Sequence, residues 1–411
     1  MSYKGPYIIG LDMGSVKTCA LICLPGEIGK LHIAGLGVAE SRGWRKGVIA
    51  NLDLAVLALK KAVEAAESAA GVPIDSAYVG VAGSHIHGVN SRGASTLGKG
   101  PGAQREVTRE DIRNAVQMAQ GIMLPEDRQM LHVLPQEFLV DSQDGIRDPL
   151  GMVGGRLEVN VHIVTASATA SQNVVTAVNR AGIVVLDTVF EGLASSDACL
   201  GTDDRELGVA LVDIGGGSTE LVVFHQGTVR HTAVIPVGGE HFTNDIAVGL
   251  RTPIPEAEKI KKKYGCVAGP LVEEQETIEV PSVGKGRKPR VLSRQLLADI
   301  IQPRAEEIFR LVDSDIKRMG YDKSLNSGIV LTGGTALLEG LEEVAEEIFD
   351  LPVRRGDPSG VGGLVDRVST PDFATSVGLT LYGFHTWQDK GLSRDRKKGG
   401  WAKFKDWFKE G

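Results

Sequence analysis

Much that would define other classes of protein is missing from this chain. No apolar run reaches 18 residues, so nothing in it crosses a bilayer as a helix. The net charge is −7, which gives no basic field to attract nucleic acid, and no nucleic-acid partner is expected. The four cysteines, Cys19, Cys23, Cys199 and Cys266, lack metal-site spacing and lie in apolar contexts. They read as reduced core residues of a cytosolic protein. His85 and His87 have no third ligand close in sequence, so they are not taken as a metal pair. The N-terminal residues lead straight into an apolar strand without the pattern of a secretory signal. What the chain does have is glycine, 52 residues in 411, together with the ordinary apolar content of a globular α/β protein of two or more domains.

The glycines mark an internal repeat. Residues 7–24 and 208–224 each read as an apolar run, then Asp-x-Gly-x-x-x-Thr, then a second apolar run. Asp12, Gly14 and Thr18 in the first correspond to Asp213, Gly215 and Thr219 in the second. Each is a predicted strand, tight turn and returning strand. A duplicated hairpin points to two half-domains facing one ligand. Glycine lets the backbone approach closely, and successive N–H groups in such a turn make an anion nest. Ser15, Lys17 and Thr18 add donors to the first turn; Gly216, Gly217, Ser218 and Thr219 complete the second. Asp12 and Asp213 each close a strand, placed to hold a hydrated Mg²⁺ that also takes phosphate oxygens. Either hairpin alone is as well explained as a plain glycine turn; the matching pair is not. A third segment, 328–341, is an apolar strand, then Gly333-Gly334-Thr335, then an amphipathic run expected to be a helix over 336–349. A helix opening there would lie over a nucleotide's sugar and α-phosphate.

In this order the three segments resemble the actin-like ATPase superfamily, whose two phosphate loops and adenosine motif they match. Residues 191–202 and 374–384 look like its two connecting helices, the small residues of the second allowing a close crossing. Residues 255–266 resemble the helix that lies along the adenine in bacterial relatives, with Glu258 and Lys261 as candidate base contacts; a solvated helix face is the alternative. The resemblance implies an α/β fold of duplicated, ribonuclease H-like halves around a nucleotide cleft, with ATP or ADP and Mg²⁺ as ligands. Glu191 matches the acid that positions water in several superfamily ATPases, and Asp213 would help through the metal. Hydrolysis is expected to be weak at most, nucleotide mainly controlling conformation and polymerisation.

Along the chain, a helix is expected over 52–70 and a strand near 78–81. A small α+β module then interrupts the pattern at 84–161, with Pro135 in a strand at an edge or bulge. The second half carries its own insert at 239–312. It ends in a long helix over 293–313, where Pro303 implies a kink or a boundary. A Lys/Arg-rich loop precedes that helix. At the C-terminus, Trp401, Phe404, Trp407 and Phe408 fall within an arc of about 120° on a helix. Lys405 and Lys409 flank the arc on one side and Lys403 on the other. Aromatic residues bordered by lysines describe a helix lying in a bilayer interface. The basic stretch before it reads as a flexible tether attracted by anionic lipid.

With its insert, its Arg294–Arg304 stretch and its tail, the chain resembles the FtsA family of bacterial cell division proteins. That resemblance implies subdomain 1A at 1–83, 162–202 and 369–386, subdomain 1C at 84–161, subdomain 2A at 203–238 and 313–368, and subdomain 2B at 239–312. A linker at 387–399 and a membrane-targeting helix at 400–411 follow. It also implies self-association into filaments at the cytoplasmic face of the cell membrane, at the septum. The C-terminal peptide of FtsZ would dock on subdomain 2B, with Arg294 and Arg304 pairing its acids, and other divisome proteins would bind subdomain 1C. A small-molecule kinase or phosphatase of the same superfamily, or an MreB- or PilM-like filament or assembly ATPase, is the alternative.

Overall fold

The computed structural model describes residues 6–26, 30–45, 47–98, 103–283 and 288–394, with side chains to residue 388. The first half opens with β1 (Ile8–Met13), β2 (Lys17–Pro25) and β3 (Leu31–Glu40), then a short hairpin of β4 (Trp44–Arg45) and β5 (Val48–Ile49). Next come α1 (Leu52–Ala70) and β6 (Ser76–Val81). The insert supplies β7 (His87–Thr96), β8 (Arg105–Glu106), α2 (Arg109–Ala119), β9 (Arg128–Val140), β10 (Gln143–Ile146), β11 (Val153–Gly154) and β12 (Arg156–Ser167). The half closes with α3 (Ala168–Arg180), β13 (Val184–Phe190), α4 (Glu191–Cys199) and α5 (Thr202–Leu207).

The second half begins with β14 (Val209–Ile214), β15 (Thr219–His225) and β16 (Thr228–Ile235). It continues through α6 (Gly239–Gly249), α7 (Ile254–Tyr264), the hairpin of β17 (Thr277–Val280) and β18 (Arg290–Ser293), and α8 (Arg294–Arg318). Then follow β19 (Ile329–Thr332), α9 (Leu341–Phe349), β20 (Val353–Arg355), β21 (Val361–Gly363) and α10 (Ala374–Arg394).

Two sheets carry the duplication. One has the order β13-β6-β1-β2-β3-β21 and the other β16-β15-β14-β19-β20. In each, the repeated hairpin is antiparallel and its first strand pairs in parallel with a later strand, β6 or β19. Such strands are covered on both faces, so they read as unbroken apolar runs. The insert forms a third sheet, β10-β9-β12-β7. Its own core of Ile112, Val116, Phe138, Val159 and Ile163 lies beneath α2. Thr108 caps α2 by a capping box with Asp111. Pro135 sits at a bulge, where the register against β12 shifts between Asn160 and Val161, which spares the sheet a missing donor.

α4 and α10 cross between the sheets. A Cβ on Gly378 would lie 1.7 Å from the carbonyl oxygen of Ala194, so only glycine allows the approach. The insert meets the second half through polar groups: His162 bonds Asn90 at 2.6 Å and Thr232 of β16 at 2.9 Å.

One sequence expectation is narrowed and one is corrected. Of the kink or boundary expected at Pro303 the boundary is excluded, because α8 runs through it from Arg294 to Arg318. Buried Leu297 and Ile301 before it and Ala305, Ile308 and Phe309 after it hold both segments on one core. One lost backbone bond is small against that burial. The helix after Gly333 does not start at the turn. A 3-10 turn (Gly334–Leu337) comes first. The chain then extends at Glu339, whose carbonyl accepts from Val267 at 2.8 Å. Gly340 takes φ +80, and α9 starts only at Leu341.

Candidate functional site

The two repeated hairpins meet tip to tip between the sheets. A Cβ on Gly216 would lie 2.5 Å from Val16, and one on Gly217 would lie 2.8 Å from Ser15 Oγ. Gly215 N–H closes its own turn on the Ser218 carbonyl at 3.0 Å. Thr18 is tied to Ser41 at 2.7 Å and Thr219 to the Val237 carbonyl at 2.7 Å. The two threonines thus fix the loops rather than pointing donors into open space. Asp12 and Asp213 are both buried. The first turn of α10 reaches both: Ser376 Oγ donates to Asp12 at 3.0 Å and Thr375 Oγ1 to Asp213 at 3.4 Å. One helix therefore braces an aspartate from each half.

Among the described residues the charge around them is nearly all negative. Burial pushes the Asp213 carboxyl up to about 6, with the charge of Asp12 adding to it. Burial likewise raises Asp12, though Lys17 partly offsets this. Glu191, at the start of α4, is pushed well above the usual carboxylate range, first by burial and then by Asp12, Glu220 and Asp213. A Cβ on Gly80 would come within 2.7 Å of Glu191 Oε1, so the strand beneath leaves room for that carboxyl.

Glu220 was not singled out from sequence, and it belongs here. It stands opposite Asp213 across the β14–β15 pair, on the same face of the sheet. It is buried. Its oxygens have no side-chain partner, and the backbone N–H groups of Gly192 and Gly83 lie close enough only to offset its burial in part. Burial and Asp213 raise it well above the carboxylate range. The signal was in the repeat: the residue after Thr18 is Cys19, while the residue after Thr219 is Glu220. The duplication is broken at the one position that puts a second acid beside the metal candidate.

The third segment closes the site. β19 lies parallel to β14 with Thr332 beside Asp213. Gly333 follows with φ +84, and a Cβ there would lie 2.3 Å from Asp213 Oδ1. Thr335 Oγ1 donates to the Gly215 carbonyl at 3.3 Å, and Gly334 faces Asp372. α6 starts on the second turn, with Gly239 N–H and Glu240 N–H donating to the Gly215 and Gly216 carbonyls at 2.8 Å each. From α7, Lys261 Nζ reaches the Gly239 carbonyl at 2.9 Å, Thr243 at 2.8 Å and Glu258 at 2.7 Å. Glu258 also accepts from Thr243. Both residues are thus turned toward α6.

Lys17 does not stand free over its turn. It pairs with Asp372 at 2.9 Å, donates to the Asp372 carbonyl, and lies 3.6 Å from the centre of the Phe373 ring. Burial alone would raise the Asp372 carboxyl, but Lys17 and Thr370 outweigh it and hold it below its usual range.

The structure does not bring Arg294 and Arg304 to this cleft, nor leave them facing solvent unpaired. Arg294 binds Glu276 at 2.7 Å, Glu339, and the Tyr264 carbonyl at 2.9 Å. Arg304 binds Asp245 at 2.8 Å and also Glu307. Trp401, Lys403, Phe404, Lys405, Trp407, Phe408 and Lys409 lie outside the described residues, as do 395–399 of the expected 387–399 linker; the first part of that linker is instead helical, because α10 continues to Arg394. No helix among the described residues is long and apolar enough to cross a membrane.

The fold is shared with solved structures of low sequence identity. The chain matches a structure titled PilM-PilN type IV pilus biogenesis complex with a TM-score of 0.66 at 17% identity, over 92% of this chain and 98% of that one. It matches MreB5 of Spiroplasma citri bound to ADP with a TM-score of 0.55 at 15% identity, over 95% and 99% of the two chains. Two lobes built on a repeated hairpin, with helices crossing between them, define an actin-like fold. Sequence carries the assignment further. The family model for cell division protein FtsA matches residues 210–378, and that for the SHS2 domain inserted in FtsA matches residues 83–165. The cell division protein FtsA of Pseudomonas aeruginosa is 47% identical over 95% of this chain and 92% of its own length. That of Neisseria meningitidis is 42% identical over 99% of both, and that of Escherichia coli K12 is 41% identical over 92% and 90%. The chain belongs to the FtsA family of cell division proteins.

Proposed function

We propose that this division protein binds ATP or ADP with Mg²⁺ in the cleft between its halves. It polymerises, and it tethers the FtsZ ring to the cytoplasmic face of the membrane. The observation that carries the nucleotide reading is the pair of buried aspartates, one from each repeated hairpin, braced by a single helix. Their surroundings fit a divalent cation. Four acids lie within electrostatic reach of one another, and Lys17 is the cation that acts on Asp12 and Asp213 among the described residues. Two carboxylates suit an ion that keeps several waters and takes phosphate oxygens. Bound there, the metal supplies neutralising charge and a template for the phosphates.

The chain's own groups would then divide the work. Gly14, Ser15 and Lys17 and the Gly215–Ser218 turn cradle phosphate, with Thr18 and Thr219 holding the two loops in place. Gly333, Gly334 and Thr335 approach the sugar. Glu258 and Lys261 line the base end. Glu191 positions water for slow hydrolysis. Closure on the ligand favours one relative orientation of the halves and so couples binding to assembly.

The sequence divisions at 84–161 and 239–312 serve as subdomains 1C and 2B, the first for other divisome proteins and the second for the FtsZ C-terminal peptide. Acids of that peptide would exchange with Glu339 and Glu307, the half-exposed partners of Arg294 and Arg304. The aromatic face of 400–411 lies in anionic lipid. One short helix binds weakly, so filaments supply the multivalency.

Liposome co-sedimentation with Mg-ATP and FtsZ tests the tether. The full chain should pellet with anionic vesicles and carry FtsZ with it. Trp407→Glu should stay in the supernatant while still binding ATP. Equal sedimentation of that variant refutes the membrane role of the tail.

A further inference from the structure

Lys17 is the only basic residue between Asp12 and Thr18, yet an internal carboxylate already holds its ammonium. Asp372 Oδ2 accepts from it at 2.9 Å, the Asp372 carbonyl accepts a second bond, and the Phe373 ring lies against it. Thr370 Oγ1 donates to the other carboxylate oxygen at 2.6 Å, so the acid is braced. Only about a quarter of either side chain is exposed, 23% for Lys17 and 28% for Asp372. The pair is thus far less screened than a surface ion pair.

Asp372 sits on a three-residue 3-10 turn, Pro371–Phe373, at a junction of three parts. It holds the first hairpin through Lys17. The turn meets the glycine segment of the second half, where the Pro371 carbonyl accepts from Gly333 N–H at 3.3 Å. It also runs directly into α10, whose Thr375 and Ser376 brace Asp213 and Asp12.

A carboxylate and a phosphate oxygen make the same kind of charge-assisted bond to an ammonium. Lysine is a compact point charge on a flexible stem and can pass from one to the other. We propose that Asp372 is a built-in competitor for phosphate: it holds Lys17, incoming phosphate must displace it, and the exchange releases the turn that starts α10. The proposal rests on the cleft being a nucleotide site. Once Lys17 turns to phosphate, Asp372 keeps only Thr370 and faces a new anion. The 371–373 turn then loses its hold on the first hairpin, and α10 carries that change toward the C-terminal segment. By linkage, whatever restrains α10 changes nucleotide affinity by the same factor.

The test uses the full chain, Mg-ATP and Mg-ADP, and three variants: Asp372→Asn, Lys17→Ala and the double variant. Asp372→Asn keeps the shape of the side chain and removes its charge, so Mg-ATP should bind about tenfold more tightly. In the Lys17→Ala background the same change should move affinity by less than about twofold, because the effect runs through the lysine. Hydrogen exchange supplies a readout apart from binding: residues 370–377 should lose protection when nucleotide binds the wild type and show little change in Asp372→Asn. If Asp372→Asn binds equally or more weakly while the wild type binds well, the competitor role is overturned and the nucleotide reading stands. An effect that persists without Lys17 also overturns it. If neither the wild type nor any variant binds Mg-ATP, both readings fall together.

Discussion

Asp213→Asn should make the unliganded fold more stable at neutral pH while weakening the metal site. Asp213 is buried, with a carboxyl that burial pushes up to about 6 from its ordinary value of 3.8. Its folded form therefore holds a proton more tightly than its unfolded form. Stability is greatest with the group protonated and is lost as pH rises from 3.8 towards 6 and beyond. Asparagine mimics the protonated group, and the Thr375 hydroxyl can still donate to its amide oxygen. At about 1.36 kcal/mol per unit, the variant should gain roughly 1–2 kcal/mol over the wild type at pH 5 and about 3 kcal/mol at pH 7.5. Urea unfolding without nucleotide, at both pH values, measures the two gains. A variant less stable than the wild type at pH 7.5, or a gain that does not grow with pH, would refute the idea that Asp213 is held at an energetic cost. Stability given up at a functional group is the usual trade between stability and activity.

Gly378→Val should cost about 3 kcal/mol by overpacking, because its Cβ would fall on the Ala194 carbonyl where α4 and α10 cross. A urea midpoint unchanged from wild type would show that the two helices can part without loss. Thr108→Ala removes the cap of α2 and should cost about 1 kcal/mol. Hydrogen exchange should confine the loss to the insert, and a loss spread through both lobes would contradict its having a separate core.

The repeated hairpins were legible because their turns need glycine and their strands, covered on both faces, need unbroken apolar residues. The close crossing at Gly378 was legible for a similar local reason, the small residues of 374–384. What could not be read locally depends on contacts distant in sequence. The break between Leu337 and Leu341 follows from pairing of Glu339 with Val267. Pro303 stays helical because both halves of α8 share one core. Charge spacing alone left Glu258 and Lys261 undecided; their inward turn comes from Thr243 and Gly239 on the neighbouring helix. Lys17 was visible as a phosphate donor, but its partner lies 355 residues away. Glu220 was overlooked because the repeat was aligned on its matching residues, and the informative position is the one that does not match.

The most direct test of the nucleotide clasp is equilibrium binding of ATP to the wild type and to Asp213→Asn, with and without Mg²⁺. Saturable one-site binding that needs the metal and weakens at least about tenfold in the variant is the predicted result. Equal affinity in both proteins, or no binding by the wild type, would contradict the account.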